Sequence, residues 1–273
     1  MDKDAVQQAL SHLSLGPVRF YPQTGSTNDD ANHWAQVGAP DLALVIAEEQ
    51  TQGRGRLARS WFTPPGAALA LSLVLRPDQT PVDAEQPQAL ARLTALGALA
   101  VCSALKDISG GALQPEIKWP NDVLLERQKT AGILVEISWE GERFVAAVLG
   151  IGINVSSRSV PPAKTLLFPA TCVEAALGRG VERLELLRAV LEGVLFWRQR
   201  LNKAEFLQAW QEQLAFKGTW VQISRDDPSG VSMQEARLVG VRADGKLELI
   251  DREGKTITLE TGEVTLRPAE RDE

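Results

Sequence analysis

Arg54, Arg56 and Arg59 stand with Gly53 and Gly55 in the segment EEQTQGRGRLARSWF. Glycine lets a main chain approach a ligand closely, and guanidinium forks match phosphate or carboxylate oxygens. A solvated basic loop would show the same residues, and the GxxxxGK[ST] phosphate loop is absent. A second constellation, KWPNDVLLERQKTAGILVE, sets Lys118 and Lys129 eleven residues apart around a Pro-Asn-Asp turn. Two cations and the Asp122 carboxylate converging at the ends of paired strands would suit a nucleotide. The cations would neutralise phosphate charge and the carboxylate would hold magnesium. A surface hairpin with solvated charges is the alternative. GIGINV, residues 150–155, is not a dinucleotide fingerprint: Val155 stands where the third glycine would fall, and a strand end rather than a strand-to-helix turn surrounds it. Gly150 and Gly152 instead allow backbone to lie against a flat or apolar ligand, with Asn154 free to hydrogen-bond.

Positioning these groups requires a sheet. Residues 4–13 read as a short helix and Pro17–Tyr21 as a first strand, followed by GSTND as a loop with Ser26 or Thr27 at the N-cap of a helix that ends near Gly38. LALVIAEE and ALALSLVLR are apolar runs of strand length flanking the Gly/Arg loop. Gln88–Lys106, rich in Ala and Leu and free of Pro, predicts a helix covering the sheet. Three β-rich runs follow, EIKWPNDVLL, AGILVEISW and FVAAVLGIGINV, with turns at Asn121-Asp122, around Gln128 and at Glu140-Gly141. An irregular crossover over Arg158–Pro169 and helices over 182–200 and 203–215 complete a first domain, 1–215. From 216 to 273 short alternating strands, with turns at Asp244-Gly245 and Glu253-Gly254, predict a small β-barrel.

The bulk properties narrow the function. With 273 residues, 44% of them hydrophobic, the chain can build one sizeable core and an appended domain. A formal net charge of −6 opposes general nucleic-acid or anionic-membrane binding. Cys102 and Cys172 are too few for a disulfide framework and lack zinc spacing, so a reducing cytoplasm is the expected compartment. No export signal is visible, and charges break the apolar stretches before spanning length. His12 and His33 read as ordinary polar residues.

Taken in order, GSTND, QTQGRGR, the WF after it, KWPND, KTAGILVE, GIGINV and a terminal GEVTLRP resemble the biotin protein ligase family. The match runs from about residue 22 to 156, and again at 262–268. The resemblance implies an α+β fold: a mixed-sheet catalytic domain like those of class II aminoacyl-tRNA synthetases, then a small Src-homology-3-like barrel. It implies two steps, in which biotin and ATP give biotinyl-5'-AMP and pyrophosphate, and the biotinyl group then passes to a lysine of a biotin carboxyl carrier protein. Carried onto this chain, it makes Lys129, Arg54, Arg56 and Lys118 the catalytic residues. Ser26, Thr27, Asn28, Gln50, Gly53, Gly55 and Gly132 fall to the biotin head and its pocket, and Gly150 and Gly152 to the biotin tail. Arg59, Trp61, Asn121 and Asn154 fall to ATP or the adenylate, and Asp122 to magnesium.

Two departures qualify the resemblance. The family's GRGRRGR reads GRGRLAR here, so Leu57 and Ala58 reduce loop charge and flexibility, and weaker adenylate retention is expected. About twenty residues precede GSTND, too few for the winged helix-turn-helix of repressor members, so no DNA binding is expected. Competing readings are a lipoate or octanoate transferase of the same superfold and a non-catalytic biotin sensor. The carrier's identity, the barrel's role and a homodimer paired through sheet edges stay open.

Overall fold

The structure, a computed structural model, describes residues 1–80, 89–140, 143–227, 230–260 and 264–268. The turn expected at Glu140-Gly141, the expected start of the third helix at Gln88 and the first residues of GEVTLRP lie partly or wholly outside that set. A seven-stranded sheet forms from β1 (Val18–Tyr21), β2 (Leu44–Ala47), β3 (Ala68–Leu75), β4 (Glu116–Lys118), β5 (Asp122–Leu125), β6 (Gln128–Glu140) and β7 (Arg143–Asn154), in the order β1-β2-β3-β7-β6-β5-β4. Only the β1–β2 pair is parallel, so the sheet is mixed.

Period-2 alternation decides which face each residue serves. On β3, Leu69, Leu71, Leu73 and Leu75 enter the large core; on β7, Leu149, Ile151 and Ile153 do the same. That face is covered by α3 (Ala89–Ile108) and α5 (Arg183–Arg198), with α1 (Lys3–Leu10) packed against α5. A Cβ on Gly97 of α3 would stand 2.9 Å from both Ile133 and Leu149, so the helix lies close because that position is bare. α3 does reach the length and apolarity of a membrane span, unlike the sequence expectation; its burial in the core accounts for the composition. The opposite face is shorter of large side chains. There α2 (Thr27–Gln36) packs Ala31, Trp34 and Ala35 over Val45, Val74, Ala146 and Val148.

Several boundaries differ from the sequence reading. GSTND does not wholly precede its helix, since Thr27 and Asn28 form the first turn and Ser26 takes the N-cap position without a side-chain cap bond. The turn expected at Asn121-Asp122 within EIKWPNDVLL falls slightly earlier, at Trp119–Asn121 with a cis Trp119–Pro120 peptide, and Asp122 already opens β5. The next turn is made by Glu126 and Arg127, both at positive φ, one residue before Gln128. The crossover carries 3₁₀ turns at Ser157–Ser159 and Ala163–Thr165, and a short helix, α4 (Val173–Leu177), was not expected. After α6 (Ala204–Glu212) the chain forms a five-stranded antiparallel sheet, β11-β10-β9-β8-β12, from β8 (Trp220–Asp227), β9 (Gly230–Val241), β10 (Leu247–Ile250), β11 (Thr256–Leu259) and β12 (Val264–Pro268). Its Val221, Leu238, Leu247 and Leu249 join the large core through Phe206, Trp210 and Phe216. Both cysteines are buried thiols, and burial pushes that of Cys102 up to about 12.

Candidate active site

The second face of the main sheet bears a cleft because its middle carries almost no side chains. Register aligns Ala70, Gly152 and Gly132 in one row across β3, β7 and β6, and Ser72, Gly150 and Leu134 in the next. The cleft they floor holds a cavity of about 130 Å³, or about 740 Å³ with the space open to solvent at its mouth. Its inner wall is the start of α2 with Gln50, its roof is the segment Arg54–Trp61, and its far end is Asn121, Asp122 and Lys129.

At the inner wall, Gln50 Oε1 accepts the Thr27 backbone N–H at 2.9 Å, while Gln50 Nε2 donates to Thr63 Oγ1 at 2.9 Å. Ser26, Thr27 and Asn28 are all buried there. The roof is a short hairpin in which the Gly55 N–H bonds to the Arg59 carbonyl at 2.7 Å and Arg59 N–H returns to Arg56 at 3.2 Å. Gly53 is obligatory at its base, since a Cβ there would overlap the Trp61 carbonyl. The Trp61 indole lies on the glycine floor: a side chain at Gly152 would strike its ring. Its Nε1 is buried with no hydrogen-bond partner among the described residues, a donor that a ligand could satisfy.

The far end concentrates charge. Lys129 Nζ lies 2.7 Å from Asp122 Oδ1, an ion pair short of aligned hydrogen-bond geometry, and 5.3 Å from the centre of the Trp61 ring. Lys118 Nζ approaches the other oxygen of Asp122 at 3.9 Å and sits 4.4 Å over Phe168. The amine of Lys129 reaches over Gly132, where a Cβ would stand 3.4 Å from Nζ. Its backbone is fixed from both sides, with Lys129 N–H on the Pro169 carbonyl at 2.8 Å and Thr171 N–H on the Lys129 carbonyl at 2.9 Å. Arg56 contacts Asn121 Oδ1 at 3.4 Å. Burial lowers the Arg56 guanidinium from its usual range, Asp122 opposes that, and Arg59 adds to it; the group remains a cation.

Most of the expected residues therefore converge on one cleft. Lys118 and Asn154 stand behind its walls, and Asn154 Nδ2 is occupied, donating to the Thr171 carbonyl at 3.1 Å. Arg54 turns from the floor to the rim, with Nη2 2.6 Å from both Asp29 and Glu136. Sequence reasoning missed Ser72, Glu136 and Leu134; Leu71, Ile133 and Ile151 border the cleft on the same strands but belong to the core on the other face. The alternation of glycine with isoleucine in GIGIN was the available signal for the bare floor; Ser72 inside ALALSLVL offered only its polarity.

Comparison with known proteins bears on these groups. The model of the Biotin/lipoate A/B protein ligase family matches residues 20–154, which hold all the cleft-lining side chains. A biotin--[acetyl-CoA-carboxylase] ligase of Paracoccus denitrificans is 36% identical over 203 residues, covering 72% of this chain and 80% of the relative. The chain belongs to the biotin/lipoate A/B protein ligase family. Another relative, the bifunctional ligase/repressor BirA of Bacillus spizizenii, is 38% identical over 192 residues, 70% of this chain. This chain spans only 57% of that relative's length. Among solved structures, the biotin protein ligase from Aquifex aeolicus in complex with biotin and ATP matches with a TM-score of 0.72 and 26% identity, over 93% of this chain and 99% of that one.

The family's magnesium can be tested against the cleft of this ligase-family chain. Asp122 is the sole carboxylate lining it, both its oxygens face lysine ammoniums, and no cluster of three metal-ligating side chains exists among the described residues. That donor set does not fit a resident ion. A single carboxylate beside two ammoniums would suit only magnesium carried in on a ligand's phosphates, held mainly by phosphate oxygens and water.

Proposed function

We propose that this chain joins biotin to ATP as biotinyl-5'-AMP and then transfers the biotinyl group to a lysine of a biotin carboxyl carrier domain. The observation that carries the reading is the placement of Lys129. Its ammonium stands at the charged end of a cleft whose other end offers Thr27 and Gln50, with a bare glycine floor between. Biotin has a polar fused-ring head, an apolar tail and a carboxylate. Laid along the floor with its head at Thr27 and Gln50, it brings its carboxylate to Lys129.

In the first step a carboxylate oxygen attacks the α-phosphorus as the bond to the bridging oxygen of pyrophosphate breaks. Lys129 holds negative charge from both reactants where they meet, which is electrostatic stabilisation by a pre-placed donor. Lys118, Arg56 and Arg59 add positive charge for the phosphates. Magnesium supplies further neutralisation of the triphosphate when bound. In the second step a neutral carrier amine attacks the acyl carbon, AMP leaves, and the amine loses its proton. The roof hairpin shields the mixed anhydride from water. Neither step calls for a protein nucleophile. Structural likeness to the Aquifex ligase, with a TM-score of 0.72, supports a class II synthetase-like first domain over 1–215, and the five-stranded antiparallel sheet supports a Src-homology-3-like barrel over 216–273.

The test is biotin-dependent ATP/pyrophosphate exchange with magnesium, run beside lipoate and beside Lys129→Ala. Exchange with biotin alone, reduced about a hundredfold or more in the variant, is the expected result. Exchange with lipoate instead, or none from folded protein that binds biotin, would overturn it.

A further inference from the structure

Ser72 and Glu136 belong to no motif, yet they set the direction of hydrogen bonding at the inner wall of the cleft. Ser72 on β3 is fully buried, with Oγ 2.6 Å from Asn28 Oδ1 and 2.8 Å from Thr27 Oγ1. Asn28 Nδ2 lies 2.8 Å from Glu136 Oε2. The same carboxylate oxygen receives Arg54 Nη2 at 2.6 Å and Asn32 Nδ2 at 3.2 Å. Gly150 makes room for this arrangement, since a Cβ there would overlap the Asn28 amide.

Counting protons fixes the polarity of the chain. An ionised carboxylate only accepts, so the NH₂ of Asn28 faces Glu136 and its oxygen faces Ser72. An amide oxygen carries no proton, so the 2.6 Å contact uses the one proton of the Ser72 hydroxyl. At the contact between Ser72 and Thr27 the donor must then be Thr27. Thr27 Oγ1 also lies 3.1 Å from Gln50 Oε1, but its proton is committed to Ser72, and that amide oxygen is served by the Thr27 backbone N–H. Only lone pairs of the Thr27 hydroxyl remain for a ligand.

We propose that Glu136 and Ser72 are positioning residues that hold the Thr27 hydroxyl as a hydrogen-bond acceptor, making the inner end of the cleft selective for a ligand that presents N–H donors there. This rests on the biotin reading, in which the cyclic urea supplies those donors. A charged anchor at one end and a single proton on each hydroxyl leave the chain no second direction. Loss of Ser72 releases the Thr27 proton, which can then turn either to Gln50 Oε1 or toward the ligand, so the hydroxyl is no longer held as an acceptor. A neutral group at position 136 leaves the Asn28 amide oriented chiefly by its 3.4 Å contact to the Leu134 carbonyl, so it flips more readily, with the same consequence two bonds further along.

The experiment is calorimetric titration of wild type, Ser72→Ala and Glu136→Gln with biotin and with the two carbamate analogues, in which one or the other ureido N–H is replaced by a ring oxygen. Wild type is expected to prefer biotin over at least one analogue by about tenfold or more, the effect of setting two acceptors face to face. Both variants should narrow that ratio to within about threefold, chiefly by gaining affinity for the analogue. A merely structural role would lower affinity for all three ligands together and leave the ratio unchanged. An unchanged ratio in folded variants, or no preference in wild type, overturns the inference while the biotin reading stands. Absence of biotin binding by wild type defeats the biotin reading and this inference with it. Thermal melts establish folding, and Glu136, partly exposed at the rim, carries the test if the buried Ser72 variant is unstable.

Discussion

Glu48 lies one residue past β2, two before Gln50, and it is tied on two sides. Its Oε1 is 2.7 Å from Arg183 and its Oε2 2.9 Å from the Met1 ammonium. Burial alone would push this carboxyl up, but the hydrogen bonds and charges of Arg183 and the ammonium outweigh it and hold it below its ordinary 4.5. A carboxyl whose pKa is depressed on folding stabilises the fold above its unfolded value and loses that contribution as pH falls through the folded one. Stability should therefore carry a Glu48 contribution at neutral pH that fades from about pH 4.5 downward. Thermal melts of Glu48→Gln against pH are expected to start lower than wild type at pH 7 and converge with it in acid; parallel curves would remove Glu48 from the acid response. At this scale the sequence was informative where charge and glycine cluster, as at Arg54, Arg56, Lys118 and Lys129. It was silent at Glu48, Ser72 and Glu136, because each gains its role from a partner more than forty positions away.

Single residues act through the elements that hold them, and the roof hairpin shows how a substitution reaches that level. Leu57 and Ala58 form its two-residue turn with φ of 56° and 55°. A turn with positive φ at both central positions matches the twist of the flanking strands and favours Asn and Gly. Each β-carbon in that region costs roughly 1–2 kcal/mol, so the hairpin closes against its own sequence. The expected loss of flexibility at Leu57 and Ala58 becomes, in this geometry, a loss of closed-state stability. Leu57→Asn with Ala58→Gly should slow hydrogen exchange at the Gly55 and Arg59 amides by about tenfold, with global melting unchanged. Exchange as fast as in wild type would mean that the turn is not what limits closure. The strands and helices of the main sheet were legible because apolar runs and alternation persist over many residues, as in Ala68–Leu75. The turn between β4 and β5 was legible from Pro120, Asn121 and Asp122, but the five-residue α4 was not, because so few residues carry too little periodic signal.

Across the whole molecule, the second sheet is joined to the site by contacts that composition could not foretell. Ile117, beside Lys118 on the edge strand β4, donates to the Gln213 carbonyl at 2.6 Å and accepts from Ala215 at 2.9 Å, so the segment between α6 and β8 extends the main sheet. Trp119 then crosses to the second sheet, donating Nε1 to the Gly245 carbonyl in the β9–β10 turn at 3.1 Å. Arg92 on α3 reaches the Ala243 carbonyl in the same turn at 3.0 Å. Trp119 and Pro120 link Lys118 to the Asn121-Asp122 pair, so the turn at Gly245 braces the strand ends that carry the charged end of the cleft. Trp119→Phe keeps most of the apolar contact and leaves a buried carbonyl without its donor, a loss of order 1–3 kcal/mol. The melting temperature should fall by roughly 2–4 °C for each kcal/mol lost. In pyrophosphate exchange the Michaelis constant for ATP should rise several-fold while that for biotin holds, because Thr27 and Gln50 stand at the opposite end of the floor. Equal rises in both constants would make the contact a general support of the fold. On the proposed ligase reading, a rise for ATP alone would make the second sheet a support of the nucleotide end of the cleft.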